Sequence, residues 1–131
     1  MLHTYIVDTE PIMIDPPKYN WGIEAALDVI GGKWKPLILY ELKDGTLRFS
    51  QLQDRVKPHI TQRMLTNQLR QLEADGLITR KVYPQVPPKV EYSLTDNGRS
   101  IIPILDQLCE WGEEHLGERI RYRCDEEESN P

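Results

Sequence analysis

Leu65, Leu69 and Leu72 recur at spacings of four and three residues, which is one stripe of an α-helix, and they predict a helix between Ile60 and Gly76. Thr61 is placed to cap its start, and Ile60 with Leu65 to staple the entry. Gly76 can take the left-handed conformation that ends it. The face opposite the leucines holds Gln62, Arg63, Thr66, Asn67 and Arg70, and no acid. On its own this describes an ordinary amphipathic helix with a solvated face.

The neighbouring patterns place that helix in a larger unit. Ile23, Ala26, Leu27 and Ile30 share one helical face in the stretch beginning at Trp21, which Gly31-Gly32 stops. A second helix is expected from Lys33 to about Lys43, with Trp34, Leu37, Ile38 and Leu42 inward; Pro36 is tolerated in its first turn. Leu47-Arg48-Phe49 reads as a minor strand. Ser50-Gln51-Leu52-Gln53 matches a capping box, so a third helix is expected from Ser50, broken at Lys57-Pro58-His59. That helix, the break and the helix from Thr61 form a helix-turn-helix. Leu77–Tyr83 and Val90–Leu94 read as paired strands around a proline-stiffened tip, Pro84–Lys89. Thr95 can cap a last helix with a broad stripe of Ile101, Ile104, Leu105, Leu108, Trp111 and Leu116, bent at Pro103.

The order is that of a winged helix. The fold class expected is α+β: a winged helix-turn-helix with extra N- and C-terminal dimerisation helices. The chain divides into an arm (1–20), the winged domain (21–116, with the dimerisation helix at 95–116) and an acidic, disordered tail (117–131). The last helix is more apolar than a small winged domain needs to cover, and a two-fold homodimer is the common answer. Trp21, Ile23, Leu27, Ile101, Ile104, Leu105, Leu108 and Trp111 are the candidate interface.

Charge changes the picture of the polar face. The 131 residues carry a net −5, unevenly: residues 1–32 hold −4, residues 33–90 hold +6 and residues 91–131 hold −7. A basic middle inside an acidic protein matters because local field, not total charge, decides what a surface attracts. Double-stranded DNA is the partner this implies. Arg63 and Arg70 can each bond two acceptors on guanine or phosphate. Gln62 and Asn67 can read adenine edges, and Thr61 and Thr66 can touch phosphate or a thymine methyl. Ser50 and Gln51 open the preceding helix, where free N–H groups favour a phosphate. Lys81 and Lys89 flank the hairpin at the minor groove and add affinity more than selectivity.

Several classes are excluded. No apolar run approaches a membrane span, and no signal-peptide layout opens the chain, so a cytoplasmic protein is expected. His3, His59 and His115 are scattered, and no nucleophile–base pair, metal-ligand spacing or phosphate loop occurs, so no enzyme, metal or cofactor is expected. Trp21, Trp34 and Trp111 are read as packing, with a pocket for a small-molecule effector as the alternative.

Longer blocks carry a resemblance. Leu27-Asp28-Val29-Ile30-Gly31-Gly32-Lys33-Trp34 resembles the opening signature of the HxlR-type transcriptional regulators, a branch of the MarR-like winged-helix proteins. Arg48–Leu52, Leu65–Arg70, Leu72–Leu77, Tyr83-Pro84, Val86–Thr95 and Gly98 are similar to that family's later blocks, so the likeness spans about residues 21–116. It implies a homodimer joined by its first and last helices, with two recognition helices in successive major grooves of a pseudo-palindromic operator, acting mostly as a repressor. One departure stands out. Many members carry a cysteine just before the first helix, which the redox sensors among them use as the reactive thiol; this chain has Trp21 and Gly22 there. Of its two cysteines, Cys109 is read as packing on the dimer helix, and Cys124 lies among carboxylates that disfavour a thiolate. A winged helix docking an acidic protein partner is the competing reading.

Overall fold

In the computed structural model, residues 18–56 and 59–121 are described. Most of the N-terminal arm, Lys57-Pro58 and the end of the chain with Cys124 lie outside them. Five α-helices and three strands follow in the order α1 (Gly22–Ile30), α2 (Trp34–Glu41), β1 (Leu47–Arg48), α3 (Phe49–Arg55), α4 (Gln62–Ala74), β2 (Ile78–Tyr83), β3 (Lys89–Leu94) and α5 (Asp96–Leu116). The strands form one antiparallel sheet in the order β1-β3-β2. Register pairs Leu47 with Tyr92 and Arg48 with Glu91 on one side of β3, and Ile78 with Leu94 through Tyr83 with Lys89 on the other.

One core joins the layers. Ile38, Leu39 and Leu42, then Leu52 and Val56, then Leu65, Leu69 and Leu72 meet Leu77, Ile78, Tyr92 and Leu94 from the sheet side, with Leu105 from α5. The leucines of α4 are at most 2% exposed. Burying each contributes roughly 2 kcal/mol. Their spacing therefore fixes the rotation of α4 about its axis, and with it the outward face.

Local chemistry sets the ends of α4 as the spacing predicts. Thr61 Oγ1 accepts the Met64 N–H at 3.1 Å, and Gly76 takes φ +78° just after the helix. The start of α3 differs. The helix begins at Phe49, one residue before the expected Ser50, and Gln51 Oε1 accepts the Arg48 N–H at 2.8 Å. Gln53, assigned to the cap by sequence, instead donates to the Ile60 carbonyl at 3.3 Å and so spans the turn between α3 and α4. Phe49 belongs to this helix, which shortens the minor strand to Leu47–Arg48.

Helix α2 is rotated from expectation. Its buried side holds Lys35, Ile38 and Leu39, with Leu42 following in a 3₁₀ turn, whereas Leu37 faces out. The helix is apolar around most of its circumference, so two stripes offset by one residue compete. The one chosen buries Leu39 and lays the Lys35 stem along apolar surface.

Helix α5 runs unbroken through Pro103 and is tied to the winged core at two places. Thr95 Oγ1 accepts the Gly98 N–H at 3.0 Å and donates to the Gly76 carbonyl at 2.7 Å, while the Thr95 N–H bonds Leu77. Farther along, the Tyr40 hydroxyl donates to Asp106 at 2.6 Å. A 3₁₀ turn at Gly117–Arg119 prolongs order into the segment read as a disordered tail. Leu105, placed by sequence at the interface, is 5% exposed and belongs to this chain's own core, with Ile101 packed against it. Leu105 points to the side of α5 that rests on the winged domain, so it cannot also serve a partner face.

Gly98 marks the close approach at the first of these ties. A Cβ there would collide with the Leu77 carbonyl oxygen and lie 3.1 Å from Leu94 Cδ2. Gly98→Ala is expected to destabilise the fold by about 3 kcal/mol through overpacking. Gly112→Ala, in the same helix with nothing within 4 Å of the new methyl, is expected to stabilise it by up to ~1 kcal/mol. Urea unfolding of both variants checks the pair.

Candidate nucleic-acid interface

Because Leu65, Leu69 and Leu72 are buried, the other side of α4 must face solvent. Gln62, Arg63, Thr66, Asn67 and Arg70 line one continuous open surface there. Neither arginine is in an ion pair among the described residues, whereas Arg80 on β2 is held by Glu73 at 3.3 Å. The guanidinium groups of Arg63 and Arg70 therefore keep their donors for a ligand.

Thr66 is less available than its type suggests. Its hydroxyl donates to the Gln62 carbonyl one turn back at 2.8 Å, which leaves an acceptor and a methyl outward. Thr61 is likewise occupied as the helix cap. Met64, 39% exposed, stands on the same helix outside the leucine stripe. Its Sδ lies 3.7 Å from Gln68 Nε2.

Ser50 and Gln51 stand in the first turn of α3, both exposed. Ser50 keeps its hydroxyl, with no partner among the described residues, while the Gln51 carbonyl oxygen closes the helix end itself. Gln51 thus retains only its amide donors for another group.

The wing is β2, β3 and the loop between them, which turns through a cis Val86–Pro87 bond and holds Val86 99% exposed. Lys81, two residues back on the same strand, and Lys89, the cross-strand partner, both hold their ammonium groups near the Tyr83 ring, 4.9 Å and 4.6 Å from its centre. A cation over an aromatic face gains from the ring quadrupole, and the geometry limits the sweep of both lysines. Glu91 joins the group. It accepts the Tyr83 hydroxyl at 3.0 Å and pairs with Lys89 at 3.5 Å. The Tyr83 bond, reinforced by the charges of Lys89 and Arg48, holds its carboxyl below the usual range. Sequence reading did not find Glu91, since cross-strand register is needed to set it beside these partners.

The arrangement offers polar forks on a rigid helix, with cations on a hairpin beside it. A helix of this kind can enter a major groove while the hairpin follows the neighbouring backbone. Among the described residues no cluster of histidine, cysteine, aspartate and glutamate could hold a metal. No helix among them is long and apolar enough to cross a membrane.

Comparison with known proteins agrees with this geometry. Residues 29–120 match the family described as HxlR-like helix-turn-helix. An HTH-type transcriptional regulator of Methanothermobacter thermautotrophicus is 62% identical over 95 residues, covering 72% of this chain and 72% of that protein. The HTH-type transcriptional regulator YtcD of Bacillus subtilis is 58% identical over 103 residues, covering 79% and 81%. Among solved structures, a MarR-family regulator from Porphyromonas gingivalis superposes with a TM-score of 0.70 at 34% identity, covering 78% of this chain and 99% of that one. The redox regulator HypR in its reduced form gives 0.67 at 55% identity, covering 75% and 98%. These relatives are transcriptional regulators and not enzymes. The chain belongs to the HxlR-like helix-turn-helix family and is a DNA-binding transcriptional regulator of the MarR-like winged-helix kind.

Proposed function

We propose that this protein is a sequence-specific repressor that binds a pseudo-palindromic operator as a homodimer in the cytoplasm. The recognition helix α4 lies in the major groove and the wing, residues 83–90, at the adjoining minor groove. The observation that carries this reading is the acid-free outward face of α4, with two unpaired arginines presented by a buried leucine stripe. Arg63, Arg70, Gln62 and Asn67 read base edges, while Thr61, Thr66, Ser50, Gln51, Lys81 and Lys89 contact backbone or a thymine methyl.

The second copy is called for by two exposed apolar faces. At and just before α1, Trp21, Ile23 and Leu27 are 70%, 69% and 57% exposed; on α5, Ile104, Leu108 and Trp111 are 51%, 57% and 56% exposed. Residues 104, 108 and 111 fall on one helical face, about a quarter-turn round the helix from Leu105, which faces the core. A water-exposed surface of this size favours self-association, and a two-fold pairing sets the two α4 helices for half-sites about one helical turn, roughly 34 Å, apart. A bound dimer then occludes the promoter it covers. The same seam is where a small-molecule effector would act, because repacking α1 against α5 changes the spacing of the reading heads. The competing use, docking of an acidic protein, is separated by competition: base-specific displacement by duplex DNA speaks for the operator reading.

Arg70→Ala is expected to cost about 1–3 kcal/mol of operator affinity and to relax preference at one base pair. Lys89→Ala is expected to weaken selected and scrambled duplexes alike and to lower the salt slope by a fraction of the roughly one unit that a single unpaired cation contributes. Fluorescence anisotropy on a duplex selected from a random pool, across a salt series, checks both. Equal base discrimination by Arg70→Ala and the parent protein sinks the assignment of Arg70. Leu108→Asp is expected to yield a folded, single-chain species in sedimentation velocity with circular dichroism unchanged. A parent protein that sediments as a single chain rejects the dimer.

A further inference from the structure

The outer face of the wing sheet carries one carboxylate among its cations. Register sets Arg48, Glu91 and Lys81 in a row across the three strands, and Tyr83 and Lys89 as the next outward rung. Glu91 is bonded by the Tyr83 hydroxyl at 3.0 Å and by Lys89 at 3.5 Å, while Lys81 and Lys89 both lie near the same tyrosine ring. The Lys89 and Glu91 side chains are 25% and 24% exposed, so the pair is partly shielded from water. Lys89 thus approaches any phosphate already paired with a carboxylate.

We propose that Glu91, positioned by Tyr83, is a specificity-determining residue that restrains the wing's sequence-independent attraction for the DNA backbone. The inference rests on the DNA-binding reading of the wing. Non-specific affinity comes almost wholly from cations that neutralise phosphates and release condensed counterions. A lysine that keeps an internal counter-charge releases less, and the carboxylate repels the incoming phosphates. Lowering this component leaves a larger share of total affinity to the base contacts of α4, which raises the ratio of operator to bulk DNA binding. A carboxylate serving the sheet alone would move thermal stability and leave the salt slope where it was.

Glu91→Gln tests this, because glutamine keeps an acceptor for the Tyr83 hydroxyl and removes only the charge. The probes are a mixed-sequence duplex and a duplex selected from a random pool, titrated by anisotropy between low and moderate salt. Binding of the mixed-sequence duplex is expected to tighten roughly 3–10-fold, its salt slope to steepen by up to about one, and the selected-to-mixed ratio to fall. Thermal melting confirms that the variant is folded. Unchanged or weaker binding by a folded Glu91→Gln protein overturns the proposal when Lys89→Ala still lowers affinity and slope, and the wing reading then stands. If Lys89→Ala also changes nothing, the wing does not meet DNA, and both the proposal and the wing's part in the function fail. Absence of any duplex binding by the parent protein rejects the function itself.

Discussion

The burial of three leucines on one side of α4 is the constraint from which the rest follows. A helix of thirteen residues cannot turn about its axis once Leu65, Leu69 and Leu72 fill the core between α2, α3 and the sheet. The polar side chains at 62, 63, 66, 67 and 70 are then presented by default, and no further device is needed to aim them. Rigidity matters because readout of base edges by paired hydrogen bonds tolerates little displacement. Substitutions at these leucines would be felt at the outward face, the proposed DNA surface, even though none of the three reaches it.

In the proposed dimer the two α4 helices must be held at a set spacing, and Thr95 and Tyr40 supply the fixed base for this within each chain. Thr95 joins the carbonyl that ends α4 to the first turn of α5, with Gly98 admitting the Leu77 backbone at the same point. Tyr40 adds a second hydrogen bond, from α2 to the middle of α5. Two ties at separate points along a 21-residue helix restrain both its pivot and its swing. The far half of α5, with Leu108 and Trp111 exposed, projects from a fixed base. The same bonds connect α5 to the start of β2 and the end of α4.

What the sequence discloses depends on how far apart the interacting residues lie. Helix α4, its Thr61 cap and its Gly76 stop are legible because each involves residues three or four apart. The wing and the β1 strand are legible as pattern for a similar reason. The order of elements and the HxlR-like blocks then supply the topology. Helix α2 is misread because Leu37 and Leu39 both continue an acceptable stripe; only the surroundings choose between them. The α3 cap is misplaced by two residues since Gln51 and Gln53 are the same type, and the turn to Ile60 claims the second. Leu105 belongs to the core although it sits in the same apolar run as Leu108, because α5 rests one side on the winged core and leaves another exposed, and a one-dimensional pattern cannot divide its apolar residues between the two.

The distribution of charge follows the same division of labour. Positive charge gathers between residues 33 and 90, where the helix-turn-helix and the wing lie, and acids gather on the first and last segments. On α4 the two outward arginines have no acidic partner among the described residues, while on the wing Lys89 and Arg80 each have one. The difference matches the tasks proposed for the two surfaces. An arginine that must choose among bases needs its full set of donors, and a countercharge would compete with the base it reads. A cation that meets the uniform backbone gains nothing in selectivity from added strength, since every sequence offers the same phosphates. Arg63 and Arg70 are thus left without a countercharge where charge can discriminate, and Lys89 is tempered where it can only attract, while Lys81 rests against the Tyr83 ring with no ion pair among the described residues. That is the balance a protein needs if it is to leave bulk DNA and settle on one site.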